Sequence, residues 1–195
     1  MKEALHTLVA EWDESLHISG PNYWKIEGVT DPRIFFQHLP KVFPHGMTLL
    51  FEGLEIGLSA KSLYEEYPAI YTKKVACDTI SPTPDSFHVA FDSVFAELLC
   101  DLIDTQGLPA AFYHFKGYSE QEVVFTFHDA FEGELVLSSS LDERAVREFA
   151  SGLDLPVENA VFVVNLRDQL AALDRALNPP WWRRAWKIFG GKKGG

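Results

Sequence analysis

Cysteine is nearly absent from this 195-residue chain: Cys77 and Cys100 stand alone, with no CxxC spacing. Neither a disulfide framework nor a zinc knuckle is indicated, and such sparse usage fits a reducing, cytoplasmic setting. No apolar run reaches the 18 residues that would signal a transmembrane helix. The start, Met1-Lys2-Glu3, lacks the apolar core of a secretory signal. Glycine is never arranged as a Walker or Rossmann loop, and neither G-x-S-x-G nor H-E-x-x-H occurs. The common, easily recognised hydrolases, metalloproteases and nucleotide binders are thereby removed, and no cofactor and no metal is expected. Basic residues are scarce too, 17 against 28 acidic, and the net charge of −11 argues against a nucleic-acid-binding body.

What remains is apolar and aromatic: 47% hydrophobic and 13% Phe, Trp and Tyr, enough to build a core without staples. The stretch from Phe87 to Leu137 holds most of the periodicity. Phe87, Val89 and Phe91 alternate with polar or small neighbours, the two-residue period of a strand. Asp92 or Ser93 can cap a helix, whose apolar stripe is Val94, Phe95, Leu98, Leu99, Leu102 and Ile103. Ser93, Ala96 and Cys100 line its edge as small residues where a second element could come close. Gly107 and Pro109 end it. Two alternating segments follow, around Tyr113–Phe115 and Val123–Phe127, with Gly117-Tyr118-Ser119-Glu120 as the connecting loop of an antiparallel hairpin. Residue 115 is expected near 123, with Tyr113, Phe115, Val123, Phe125 and Phe127 on one apolar face. Leu135–Leu137 adds a third strand.

Elsewhere, Leu5, Leu8, Val9, Trp12 and Leu16 predict a first amphipathic helix. Tyr23–Glu27, Met47–Phe51 and Val75–Ile80 predict strands. Thr30 with Pro32, Ser59, and the S-x-x-E pair Ser140 and Glu143 predict helix starts. Ala160–Val164 reads as a strand buried on both faces, followed by a helix carrying Leu166, Leu170, Leu173 and Leu177. The fold class is α+β: a mostly antiparallel sheet, with a β-meander around residues 110–138, and amphipathic helices packed on it. Residues 1–178 are expected to form one domain, or two packed halves of about 1–80 and 86–178.

Chemistry-bearing residues are few. His114 and His128 share a strand face by parity, Asp129 follows, and His88 lies on the preceding strand. In the expected register His114 opposes Val124, on the order of 13 Å from His128, too far for one shared ion. Cys100 has acidic helix neighbours that raise a thiol pKa, which reads as structural.

The end of the chain differs in kind. Residues 179–195 hold Arg183, Arg184, Lys187, Lys192 and Lys193 and no acid, a charge of +5 against −16 for the remainder. Wound as a helix, Trp181, Trp182 and Trp186 face one way and Arg183, Arg184 and Lys187 the other. Three indoles could present about 450–750 Å², more than a monomer commonly leaves bare. The sequence thus points to a non-enzymatic interaction or regulatory module that binds a protein partner or a second copy of itself. Two alternatives stand beside it: a hydrolase or metal-dependent enzyme using His88, His114, His128 or Asp129, and peripheral membrane association through the tail. The negative body disfavours a membrane surface and excludes nucleic acid as a partner.

Overall fold

Seven antiparallel strands make one sheet among the residues described by the computed structural model, 16–43, 47–75 and 84–161. They are β1 (Asn22–Ile26), β2 (Thr48–Gly53), β3 (Asp85–Ala90), β4 (His114–Tyr118), β5 (Val123–Phe127), β6 (Leu135–Ser138) and β7 (Glu158–Val161). Their order across the sheet is β3-β2-β4-β5-β6-β1-β7. Five helices accompany them among the described residues: α1 (Pro32–His38), α2 (Leu58–Glu66), α3 (Ser93–Gln106), α4 (Leu108–Ala111) and α5 (Glu143–Gly152). This is the α+β architecture that the alternating segments and helical stripes predict. No described helix is long and apolar enough to cross a membrane.

Strand parity sorts the side chains onto two unlike faces. Trp24, Ile26, Leu49, Phe51, Val89, Phe115, Phe125, Phe127, Leu135 and Leu137 point to one side, where the helices add Phe35, Phe36, Leu63, Tyr64, Phe95, Leu99, Val146 and Phe149. Phe35, fully buried, meets Phe115, Phe149 and Phe131 edge-on at 5.5–5.7 Å between ring centres. That is the favourable arrangement for aromatic quadrupoles, about 0.5–1.5 kcal/mol per pair beyond area burial. The opposite face carries Thr48, Leu50, Glu52, His114, Lys116, Tyr118, Thr126 and Ser138. There Leu50, Tyr118 and Val123 form a smaller cluster with Val75, Leu16 and Ile18.

The hairpin register differs from expectation by four residues. Phe115 pairs with Phe127, not with Val123, and one residue further on the rings of His114 and His128 stack on each other. Gly117 is the reason. It lies inside β4, not in the turn, because a Cβ there would overlap the rings of Phe43 and Phe125. The strand thus runs on to Tyr118, and the turn is Ser119–Glu122, closed by the Ser119 amide donating to the Glu122 carbonyl at 2.9 Å. A bulge beside Gly117 and Tyr118 then places Val123 on the polar side and Val124 in the aromatic core. Tyr113 falls outside the strand and is exposed.

The buried side of α3 is also rotated from its apolar stripe. Phe95, Leu99 and Ile103 are buried as expected, together with Ala96 and Cys100. The two small residues let α1 pack close, and Arg33 on α1 reaches Asp101 at 2.7 Å and Asp104 at 2.6 Å. Val94 and Leu98 are left on the surface, 54% and 41% exposed.

Helix starts show similar local shifts. Asp31, Asp92 and Asp142 cap α1, α3 and α5 by accepting from the third amide beyond. Asp31 and Asp142 take the places expected for Thr30 and Ser140, and Ser140 instead donates to Glu122. Gly57, without a side-chain cap, precedes α2 in place of Ser59. After the positive φ of Gly107 the chain enters α4, which contains Pro109. The strand expected to be buried on both faces begins as β7 at the sheet edge, largely exposed. The first amphipathic helix up to Ser15, the strand residues 76–80, the helix after 161 and the tail lie outside the described residues.

Replacing Gly117 with Ala is expected to destabilise the protein by about 1–3 kcal/mol, the usual cost of overpacking a filled core. Urea denaturation measures it, and an unchanged midpoint would contradict the packing role given to this glycine.

Candidate functional site

At one end of β4 and β5, the corrected register brings His114, His128 and Asp129 together, with one donor atom from each lying within 4.8 Å of the others. The two imidazoles stack face to face, 4.2 Å between centres and 5° between planes. Asp129 Oδ1 is 3.6 Å from His114 Nδ1, and Asp129 Oδ2 is 3.5 Å from His128 Nε2. His114 is buried, while His128 and Asp129 face solvent over more than half of their side chains.

The turn beyond β5 fixes this geometry. Asp129 adopts φ +46°, a left-handed conformation that Asp tolerates better than most residues. Its carbonyl accepts from the amides of Glu132 and Gly133, and the Ala130 amide donates to the Tyr113 carbonyl at 2.8 Å. The Asp129 amide donates to His114 Nδ1 at 2.9 Å. That bond makes Nδ1 the acceptor, so the proton of neutral His114 sits on Nε2. The cluster therefore holds a tautomer-fixed imidazole, a second exposed imidazole and a carboxylate in reach of both.

Beside it, Glu52 stands opposite His114 across β2 and β4, fully buried, with Lys116 Nζ at 3.5 Å from its Oε1. Sequence reasoning passed over both residues. Parity carried the signal, since Lys116 shares a strand face with His114, and Glu52 alternates with Phe51.

The other candidates do not converge here. His88 lies on β3 in the row of Leu50 and Lys116, two strands from β4, which is about 10 Å by strand spacing alone. Its Nδ1 pairs with the Tyr118 hydroxyl at 2.6 Å. Cys100 is buried among α3 and its neighbours, and burial above all pushes its thiol up to about 11. It is not a nucleophile near neutral pH. Trp181, Trp182, Arg183, Arg184, Trp186 and Lys187 lie outside the described residues.

Two histidines are held below their ordinary pKa of 6.5: His38 by burial and then by nearby Lys41, and His88 by burial. His38 Nδ1 is buried without a hydrogen-bond partner, and its ring lies against Gly152 at the end of α5. Below pH 6.5 the unfolded chain takes up protons at these positions before the folded chain does, so stability falls as pH drops. Thermal unfolding between pH 7.5 and 5 should show this fall, and the His38→Gln/His88→Gln double variant should flatten it; an unaltered slope would contradict the assignment. Removing one partner of the Glu52–Lys116 pair is expected to cost about 3 kcal/mol or more. Lys116→Met alone should therefore be less stable in denaturant titration than Glu52→Gln/Lys116→Met, and the reverse order would refute the pairing. No family model, curated protein or solved structure matches this chain.

Proposed function

We propose that the chain is a non-enzymatic interaction module whose acidic body receives a basic, amphipathic segment of a protein partner. The observation that carries this reading is the outer side of α3, where Val94 and Leu98 stand exposed one turn apart. Glu97 and Asp101 lie exposed on the same helix, and α2, packed alongside, adds exposed Glu65 and Glu66. An apolar pair bordered by carboxylates complements a helix with apolar residues on one side and lysines or arginines beside them.

Magnitudes set the kind of complex. Full burial of a Val or Leu side chain contributes about 1.5–3 kcal/mol, and these two are already half covered. The apolar pair alone supports a transient contact, with charge supplying encounter rate and partner choice. The basic, tryptophan-bearing residues 179–195 supply further contact area in this proposal, as a second recognition element for a partner.

Fluorescence anisotropy with a labelled 14-residue Leu/Lys amphipathic peptide tests the α3 surface. Binding is expected to weaken at least about tenfold in Val94→Gln/Leu98→Gln, and to weaken with added salt as surface charge is screened. Equal binding by the double variant, or no binding at all, overturns the reading.

A further inference from the structure

We infer that His114, His128 and Asp129 form a binding site for a transition-metal ion of the zinc class. Imidazole nitrogen and carboxylate oxygen are the donors that zinc, cobalt(II) and nickel(II) take, whereas magnesium and calcium prefer all-oxygen shells. In a tetrahedral shell with bonds near 2.1 Å, neighbouring donor atoms stand about 3.4 Å apart. The separations from the Asp129 carboxylate to the two imidazoles are 3.6 and 3.5 Å. The carboxylate therefore already lies at shell spacing from both rings.

Two features of the resting cluster oppose an ion, and both are local. Ring nitrogen lone pairs lie in the ring plane, and planes 5° apart with centres 4.2 Å apart cannot both contain one ion. Binding requires the His128 ring to turn out of the stack, and 58% of that side chain faces solvent. His114 Nδ1 accepts from the Asp129 amide in the resting cluster, so ligation through Nδ1 gives up that one hydrogen bond while the Nε2 proton stays in place. Each imidazole must be neutral to bind, so the ion competes with protons for the ring nitrogens. The rest of the shell is water, which makes the site open and of moderate affinity.

The backbone makes this arrangement specific to the fold. The two histidines sit 14 residues apart in sequence and meet only because Phe115 pairs with Phe127. Asp129 is held by its own turn and by the anchoring of Ala130 to Tyr113.

Isothermal titration of the full chain with Zn²⁺ is the direct test, with Mg²⁺ as the comparison and Co²⁺ visible absorption reporting the shell. The expected result is one Zn²⁺ per chain, a Co²⁺ spectrum of a nitrogen- and oxygen-ligated ion, and no comparable response to Mg²⁺. His128→Ala, an exposed position, should keep its unfolding temperature without metal and bind Zn²⁺ at least about tenfold more weakly; Asp129→Asn, which tolerates the same backbone, should also weaken it. Zn²⁺ binding unchanged in both variants would place the ion at other histidines and overturn the proposal, as would the absence of Zn²⁺ binding to the unaltered chain.

Discussion

The pairing of Phe115 with Phe127 is the constraint on which the rest of the described structure depends. It is set by a glycine whose missing side chain leaves room for two rings. Phe43 and Phe125 close over Gly117, and that closure extends β4 to Tyr118 and pushes the turn out to Ser119–Glu122. Each consequence is geometric. Phe115, Phe125 and Phe127 align beneath Phe35, and on the reverse side the rings of His114 and His128 stack on each other. One packing decision in the core thereby assembles the titratable cluster on the other face.

The two faces of the sheet do different physical work. On the helical side, phenylalanine edges and faces interlock around Phe35, and the stabilisation is the burial of apolar area. On the other side, a carboxylate, an ammonium and an imidazole are buried side by side at Glu52, Lys116 and His114. Buried charges cost desolvation that their attraction only partly offsets. They contribute specificity: the alternation of Glu52 with Phe51, and of Lys116 with Phe115, penalises any one-residue slip, which would drive charge into the aromatic core.

Much of this was legible in the sequence, and the failures have physical causes. The two-residue alternation finds β1, β2, β3, β5 and β6 to within two residues, and capping preference narrows the α3 cap to Asp92 or Ser93, of which Asp92 is the one that caps. Gly117 was misread because a glycine between two alternating runs most often marks a turn; only the facing rings of Phe43 and Phe125 reveal its packing role, and they lie 74 and 8 residues away. The resulting error of four residues preserved the faces of Phe115, Phe125 and Phe127 while moving every cross-strand neighbour, and the bulge exchanged the faces of Val123 and Val124. The apolar residues of α3 were identified, but not which of them meet α1, since Ala96 and Cys100 win that contact by being small. Val94 and Leu98, the residues that carry the proposed interaction surface, are visible only once that rotation is known. The histidine cluster is legible as two histidines of one face followed by Asp129 and illegible as a site, because its proximity is a property of register.

The most direct measurement of this account is the set of nuclear Overhauser contacts between backbone protons of β4 and β5 in isotope-labelled protein. Strand pairing with Phe115 opposite Phe127 predicts contacts between Lys116 and Thr126 and between His114 and His128. Contacts between Lys116 and Glu122, with His114 facing Val124, would contradict it and dissolve the cluster.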